Sequence, residues 1–487
     1  MIVRGPKCKA LRLLSKDEVE AIHAASLEVL EHVGMHSDSH KILEIFREIG
    51  AEVDFRKKRI KIPQHLVEEA LKKTPKRFIF CGRNPKNDIL LENGRVYFGM
   101  GGTPVPYVRD LETGEFRTST KKDFQNATKL GDALPNMSFL MGIAGAFDMP
   151  KGTEFIHEWE ALFTNTSKPI IYSAPSGEYA RWVIRMASAI VGGLEELKKR
   201  PIMSIYSETA SPLSFTDIND NMIECAKAGI PVTLGPAPIM GASAPATLAG
   251  ATVVGNAESL AALTLMQAVN PHSPIIYAAW AVVMDPRSGA VVYGAPEHSL
   301  TFGVINGQIA EYYNLPSFGL GGATDSKVPD AQAGAEIALT LLMNALAGVN
   351  LIHDCGYLAS GRAGSMEMAV ICDEVAGYVL RMIRRIEVND ETLAVDVIKA
   401  VGPREHFFTQ KHTFKYIERE IYLPKIFDRK ALEIWIREGM KDAAAVAREK
   451  AKKILEEHEP DPLPKDVRET LSRIVKEAEE KLVKKEK

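Results

Sequence analysis

The sequence has little of what several large classes of protein require. Its 487 residues include five cysteines, an odd number spread along the chain, which argues against a disulfide framework and a Cys-x-x-Cys zinc site. It has no uninterrupted apolar run of about 20 residues, and its N-terminus is polar and basic, so neither a membrane span nor a signal peptide is predicted. The net charge is −3 without a basic stripe, so neither nucleic acid nor a membrane surface is indicated as a partner. We therefore expect a cytoplasmic globular protein.

Several catalytic motifs are also missing. There is no His-x-His pair, no His-Glu-x-x-His and no Cys/His cluster, so a barrel metallohydrolase is not favoured and no metal site is predicted. Gly319, Gly321 and Gly322 are not followed by Lys-Ser/Thr in P-loop spacing, which favours tight turns over phosphate binding. An Asp-x-His-x-x-Gly segment, the signature of a domain that binds a corrinoid by replacing its lower ligand, is absent. Any corrinoid must therefore arrive on another protein.

The sequence does have a regular alternation of short β-rich runs and helix-length amphipathic segments. The runs are VYFGM (96–100), MSFLMGI (137–143), PIIYSA (169–174), IMSIYS (202–207), PVTLG (231–235), PIIYAA (274–279), PSFGLG (316–321) and VNLIHD (349–354). They carry almost no charge and are β-branched or aromatic, as is typical of strands buried on both faces of a parallel sheet. Segments between them, such as 298–313, have apolar residues at helical spacing. The pattern predicts an α/β fold, a (β/α)8 TIM barrel, with six strands in an open sheet as the alternative.

The chain is longer than the roughly 250 residues of a bare barrel, so additional structure must flank it. We expect an N-terminal helical cap over 1–90, the barrel over 91–386 and a C-terminal helical extension over 387–487. Ser15, followed three residues later by Glu18, forms a capping-box pattern that predicts the start of the first helix. The Ala-, Glu-, Lys- and Arg-rich residues 428–457 and 463–487 predict solvated helices.

Polar residues follow several predicted strands, where a barrel enzyme places its chemistry. Glu208 follows the fourth strand, Asp325 and Lys327 follow the seventh, and His353 ends the eighth. We interpret these four as candidate catalytic residues. The alternatives are a core role for His353 and mutual pairing of Asp325 with Lys327.

The chain resembles the trimethylamine methyltransferase family. The resemblance is carried by LSKDEVEAIHAASLEVLEHVGM near the N-terminus, YFGMGGTP (97–104), GGATDSKVPDAQAGAE (321–336) and ALAGVNLIHDCGYL (345–358), and it covers almost the whole chain. It implies a (β/α)8 barrel that passes a methyl group from an amine to the Co(I) of a corrinoid. It also implies that the corrinoid (cobalamin) is supplied by a small partner protein and is not bound tightly by this chain. A barrel of this size commonly self-associates, so we also expect a homo-oligomer.

Archaeal trimethylamine enzymes of this family contain pyrrolysine in the segment that we match to Thr324–Val328. This chain has ordinary residues there, with Lys327 at the position that we take as equivalent. The resemblance therefore implies the branch without pyrrolysine, which is similar to glycine betaine:corrinoid methyltransferase. Glycine betaine or a similar quaternary amine becomes the expected methyl donor, and trimethylamine the alternative.

A quaternary ammonium already carries the charge that lets a neutral amine leave, so the protein chiefly has to hold the cation. Aromatic faces bind such cations, and Tyr97, Tyr172, Tyr206 and Trp280 lie in or just after predicted strands. We interpret these four as candidate substrate-binding residues, with core packing as the alternative for each.

Further polar residues complete the predicted site. The carboxylate of a betaine would need a donor, for which Arg287 and Arg362 are candidates, and Gln332 opens the helix after the seventh strand. Two other functions stay open. One is a corrinoid-independent barrel lyase or aldolase with Lys327 as Schiff-base nucleophile; the other is a non-enzymatic protein that binds quaternary amines.

Overall fold

The eight predicted strands pair side by side into a closed parallel barrel. The structure, a computed structural model, describes residues 2–486. The barrel strands are β1 (Tyr97–Met100), β2 (Met137–Leu140), β3 (Ile170–Ser173), β4 (Met203–Ser207), β5 (Val232–Leu234), β6 (Ile275–Ile276), β7 (Phe318–Leu320) and β8 (Leu351–Cys355). Their hydrogen-bonded order is β6-β5-β4-β3-β2-β1-β8-β7. The ring closes just beyond β6, where the Tyr277 N–H donates to Pro316 O and the Phe318 N–H donates to Tyr277 O, each at 2.8 Å.

A helix follows each strand and covers the outside of the barrel. The barrel helices are α1 (Lys121–Ala133), α2 (Glu154–Asn165), α3 (Gly177–Val191), α4 (Asp220–Ala228), α5 (Leu248–Val269), α6 (Asn306–Tyr313), α7 (Ala331–Ala347) and α8 (Met366–Ile383). Side-chain caps define several of the starts: Ser365 accepts from the Met368 N–H before α8, and Asp330 accepts from the Ala333 N–H before α7. A short helix, Leu194–Lys199, follows α3, and Pro296–His298 with the π-helical turn Ser299–Ile305 leads into α6.

Three strand pairs are inserted after β1, β6 and β8, at the carboxyl ends of the barrel strands. They are Tyr107–Arg109 with Phe116–Thr118, Val283–Met284 with Val291–Val292, and Tyr357–Leu358 with Ala363–Gly364. These insertions build a rim around the end of the barrel where (β/α)8 proteins place their sites.

The N-terminal residues fold into helices and short strands against the barrel. The elements are Lys16–Glu28, the π-helical turn Val29–Val33, Met35–Ser37, His40–Glu48, Glu52–Asp54, Arg59–Lys61, Gln64–Lys73, Arg77–Phe80 and Ile89–Glu92. The predicted capping box is confirmed, because the Glu18 N–H donates to Ser15 Oγ at 3.2 Å and the Ser15 N–H donates to Glu18 Oε2 at 2.7 Å. The first helix is joined to α5 where Asn256 Nδ2 donates to Ser26 Oγ at 2.9 Å.

The residues after α8 divide into two kinds of helix. Short helices come first, Asp390–Leu393, Val395–Val401, Lys411–Glu420 and Leu432–Arg437, followed by the long helices Ala443–Glu457 and Lys465–Glu486. The sequence predicted that the long helices are solvated, but both are partly buried against the rest of the protein. Ala447 and Ala451 are fully buried, and the last helix contacts α2 through His157 Nε2, 2.8 Å from Glu479 Oε1.

Among residues 2–486, α5 is long and apolar enough to cross a membrane by length and composition. However, 72% of its most apolar stretch is buried inside the protein. This helix packs between the barrel and the N-terminal helices, which accounts for its apolar sequence.

Asn350 ties three strands together at the amino end of the barrel. Its fully buried amide accepts from the Ser317 N–H at 2.9 Å and donates to Glu92 O and Arg95 O, each at 2.7 Å. The Tyr97 N–H donates to the backbone oxygen of Asn350 at 2.8 Å. One side chain therefore fixes the starts of β7 and β8 against the segment that leads into β1.

We expect Asn350→Ala to lower the free energy of unfolding by about 2–4 kcal/mol, because it leaves several buried backbone groups without partners. Guanidinium unfolding monitored by circular dichroism measures this loss. The control is Asn389→Ala, which removes an exposed helix cap and should cost about 1 kcal/mol or less. Equal losses in the two variants would show that Asn350 does not fix the barrel.

Candidate functional site

Four aromatic rings form a layer inside the barrel near the carboxyl ends of the strands. The His353 ring is stacked on Phe318, with centroids 4.0 Å apart and planes at 5°. Tyr206 and Trp280 each lie 5.8 Å from Phe318, and Trp280 lies 6.3 Å from His353. One aromatic layer therefore contains side chains from four parts of the barrel: β4, β7, β8 and the segment after β6. The structure brings together three of the predicted residues, Tyr206, Trp280 and His353.

Glu208 lies just above this layer. The Tyr206 hydroxyl donates to Glu208 Oε1 at 2.7 Å. Glu208 is exposed. Desolvation by the surrounding protein nevertheless raises the pKa of its carboxyl, and the hydrogen bond from Tyr206 opposes this shift. A group that is both accessible and desolvated lies in a recess, so Glu208 lines a recess at the end of the barrel.

Asp354 faces the same region because the backbone of β8 is irregular there. Its φ is +75°, a left-handed conformation, and the pairing of β8 with β1 shifts register between Ile352 and Cys355. Its carboxylate fits against Gly102, where an added Cβ would lie 2.2 Å from Asp354 Oδ1. Strained residues of this kind concentrate at functional sites. The bulge therefore brings Asp354, which sequence reasoning did not select, close to Glu208.

Two histidines in this region have unpaired nitrogens. His353 Nδ1 lies 2.8 Å from Asp354 Oδ1 but without hydrogen-bond alignment, and within residues 2–486 neither Nε2 of His353 nor either ring nitrogen of His298 has a partner. His298 is stacked on Phe302 at 4.1 Å, and Phe302 is stacked on Trp280 at 4.6 Å. Burial lowers the pKa of His298 to about 3, so this ring is neutral at ordinary pH. Sequence analysis assigned His298 to a crossover helix and gave it no role.

Asp325 holds the rim together. Its carboxylate accepts from the Tyr293 N–H at 2.7 Å, the Gly294 N–H at 3.0 Å and the Ser360 hydroxyl at 2.8 Å. These bonds join the strand-pair insertions that follow β6 and β8. Lys327 is exposed, and its Nζ donates to the backbone oxygen of Asp325 at 2.7 Å, so the two side chains do not pair with each other. The geometry gives Asp325 a positioning role at the rim.

The structure places three other predicted residues elsewhere. Tyr172 faces the helices, where its hydroxyl donates to Glu158 Oε2 at 3.1 Å. The Tyr97 hydroxyl donates to Leu90 O at 2.9 Å, at the amino end of the barrel. Gln332 is exposed on α7 and donates to Glu336 at 2.8 Å. The core-packing alternative therefore describes both tyrosines.

The two arginines proposed for a substrate carboxylate are both exposed. Arg287 has 88% of its side chain exposed and pairs with Asp285 at 2.6 Å near the turn of the inserted strand pair after β6. Arg362 lies in the turn of the strand pair that follows β8. Neither guanidinium is among the neighbouring groups that shift the pKa of Glu208.

Carboxylates lie around the recess, together with the imidazole of His353. Burial raises the pKa of Tyr206 and Tyr293, and the nearby carboxylates of Glu208 and Asp354 raise both further. Asp325 has the same effect on the pKa of Tyr293. A partly desolvated, aromatic and anionic recess is suited to an organic cation, because aromatic faces and carboxylates both attract one.

Comparison with known proteins identifies relatives along the whole chain. The trimethylamine methyltransferase (MTTB) family matches residues 3–482. Trimethylamine methyltransferase MttB of Desulfitobacterium hafniense (strain DSM 10664 / DCB-2) is 39% identical over 470 residues, covering 96% of this chain and 94% of that protein. Glycine betaine methyltransferase of Desulfitobacterium hafniense (strain Y51) is 34% identical over 431 residues, covering 88% and 89%. Trimethylamine methyltransferase MttB of Methanosarcina thermophila is 34% identical over 463 residues, covering 94% and 95%.

The fold and these relatives define a (β/α)8-barrel methyltransferase, and proteins with this fold place their sites at the carboxyl ends of the strands. The chain belongs to the trimethylamine methyltransferase family. This confirms the resemblance seen in the sequence motifs.

Replacing His298 by phenylalanine should make stability less dependent on acid. Because burial lowers the pKa of His298 from 6.5 to about 3, the unfolded chain takes up a proton below pH 6.5 that the folded chain does not, so the wild type loses stability as pH falls. This contribution is at most about 1.4 kcal/mol per pH unit. Unfolding of wild type and His298→Phe, compared at pH 7 and at about pH 5.5, measures the difference. If the free energy of unfolding of the wild type, taken relative to that of His298→Phe, did not fall at the lower pH, a buried neutral histidine would be contradicted.

Proposed function

We propose that the chain transfers a methyl group from a quaternary ammonium compound to the Co(I) of a corrinoid carried by a small partner protein. The observation that supports this proposal is the recess itself, where the Tyr206 hydroxyl donates to Glu208 and Trp280 lies in the same aromatic layer as Tyr206. Relatives named for trimethylamine and for glycine betaine support a methylated nitrogen compound as donor.

Methyl transfer from a quaternary ammonium requires little from the protein beyond positioning of the substrate. The Co(I) of the partner's corrinoid supplies the electron pair of the new carbon–cobalt bond. The carbon–nitrogen bond breaks, and its electron pair stays on the nitrogen, which leaves as a neutral amine. No proton transfer is needed, which agrees with a recess where His298 is neutral. Holding the methyl carbon in line with the acceptor supplies much of the rate.

The charge around the recess bears on which quaternary amine is the donor. Glycine betaine is the donor that the sequence predicts, and its carboxylate needs a cationic partner. Arg287 and Arg362 are exposed in turns, whereas Glu208 and Asp354 would repel a carboxylate. We therefore propose that a quaternary amine without a carboxylate, such as tetramethylammonium or choline, is a better donor than glycine betaine.

Trimethylamine is the second candidate, because a relative named for it is 39% identical to the chain. The aldolase alternative has less support, since a Schiff-base lysine is activated by desolvation and Lys327 is exposed. The cytoplasmic location and the partner-supplied corrinoid remain parts of this proposal.

The direct test mixes the purified chain with free cob(I)alamin and adds one amine at a time while the visible spectrum reports methylcob(III)alamin. We expect methyl transfer from tetramethylammonium or choline to exceed that from glycine betaine. Transfer from trimethylamine alone would overturn the quaternary donor, and faster transfer from glycine betaine would overturn the charge argument. Tight binding of a quaternary amine without transfer to cob(I)alamin or to a corrinoid protein would identify a binding protein.

Glu208→Gln should weaken binding of tetramethylammonium about 10- to 100-fold, because a charged interaction in a desolvated site contributes about 1.5–3 kcal/mol. Since the pKa of Glu208 is raised, the wild type should also lose affinity as pH falls through that raised value. A quaternary ammonium does not titrate, so the variant should show a flatter profile. Calorimetric titration at a series of pH values from neutral downwards measures both effects.

The matched control is Arg287→Ala, which removes a charge that is 88% exposed and should leave affinity unchanged. Wild-type affinity in Glu208→Gln would mean that this carboxylate does not face the cation.

A further inference from the structure

Residues 386–440, here called the arm, expose an unusual amount of apolar surface. Of the 28 large hydrophobic side chains that are exposed in the described chain, 15 belong to the arm. They are Ile386, Val388, Leu393, Val395, Ile398, Phe407, Phe408, Phe414, Ile417, Ile421, Leu423, Leu432, Ile434, Ile436 and Met440. Large apolar side chains of this kind present about 150–200 Å² each when fully exposed, so the arm offers on the order of 1,000–1,500 Å² of apolar surface. Monomeric proteins rarely leave patches beyond a few hundred Å² uncovered.

The arm's longest helix shows the same pattern in detail. In Lys411–Glu420 and the residue that follows it, Phe414, Ile417 and Ile421 recur at helical spacing and are 72%, 43% and 50% exposed. Only Tyr416 of this helix is buried. A helix of this length depends on packing of its apolar face. That face has no partner within the described chain, so another surface must cover it.

The arm is anchored at the end of the barrel opposite the recess. Arg381 Nε donates to Glu420 O at 2.9 Å, and Arg384 donates to Arg419 O at 2.6 Å. Both arginines belong to the last residues of the α8 region, and barrel helices run antiparallel to the strands. The end of α8 therefore lies toward the amino ends of the strands. A protein that delivers a methyl acceptor to the recess approaches the other end.

The geometry points to a second copy of this chain as the occupant of the arm's apolar surface. The arm holds ten acidic and nine basic residues, so two arms facing each other would not repel. The available surface exceeds the about 800 Å² per partner of a standard interface, and apolar composition is typical of permanent homodimers. A corrinoid protein must leave after each turnover, which a large apolar interface would hinder. If two arms pair about a two-fold axis, each covers the same surface on the other, and the assembly is closed.

The test compares molar masses by size-exclusion chromatography with light scattering at micromolar concentration. We expect the wild type to have at least twice the chain mass, and the double variant Phe408→Glu/Phe414→Glu to have the mass of one chain. Leu339→Glu is the matched control, because Leu339 is 61% exposed on α7 and lies outside the arm. This control should keep the wild-type mass. Circular dichroism verifies that each variant is folded.

A monomeric wild type, or a double variant with unchanged mass, would overturn the inference. If that double variant also no longer bound a corrinoid protein, the arm would be reassigned to that partner. A second measurement does not depend on disrupting the interface: Phe408→Cys should give covalent dimers with a short bis-maleimide, whereas Leu339→Cys should not. Absence of Phe408→Cys dimers in an oligomeric wild type would also contradict arm-to-arm contact.

Discussion

Closure of the parallel barrel is the constraint on which the site depends. The two hydrogen bonds between Tyr277 and the start of β7 complete the ring beside β6, which is only two residues long. Once the ring is closed, side chains far apart in sequence, such as Tyr206 and His353, must share one layer inside it. A change that broke these hydrogen bonds would separate β6 from β7. It would also separate Trp280, which follows β6, from Phe318 in β7.

The electrostatics of the recess follow from burial that neighbouring groups only partly offset. Desolvation favours neutral forms, and it keeps His298 neutral while it raises the pKa of Glu208. A carboxylate in such surroundings gains most from a ligand that brings a permanent positive charge. A quaternary ammonium fits this requirement better than a neutral amine, because its charge does not vary with pH. The positive charge of the bound cation would therefore stabilise the anionic form of Glu208.

The strand pattern made the barrel predictable, but it could not show which way each side chain faces. All eight runs became strands because charge-free β-branched segments have few alternatives. A strand buried on both faces has no polar alternation, so Tyr172 and Tyr206 looked equivalent in sequence although only Tyr206 faces inward. Asp354 lies at a bulge and His298 lies just before a π-helical turn, and neither irregularity has a sequence signal of comparable strength. The domain boundaries and catalytic roles predicted from sequence remain predictions.

The separation of the recess from the arm suits a methyltransferase whose acceptor arrives on another protein. Permanent association needs a large apolar surface, whereas exchange of a corrinoid protein needs an interface that forms and dissociates in each cycle. One surface could not meet both requirements, because the free energy that keeps an oligomer together would also retain the acceptor protein. Because α8 carries the arm toward the amino ends of the strands and the inserted strand pairs form a rim at the carboxyl ends, the two requirements fall on opposite ends of the barrel. Assembly can therefore be stable without slowing access to the recess.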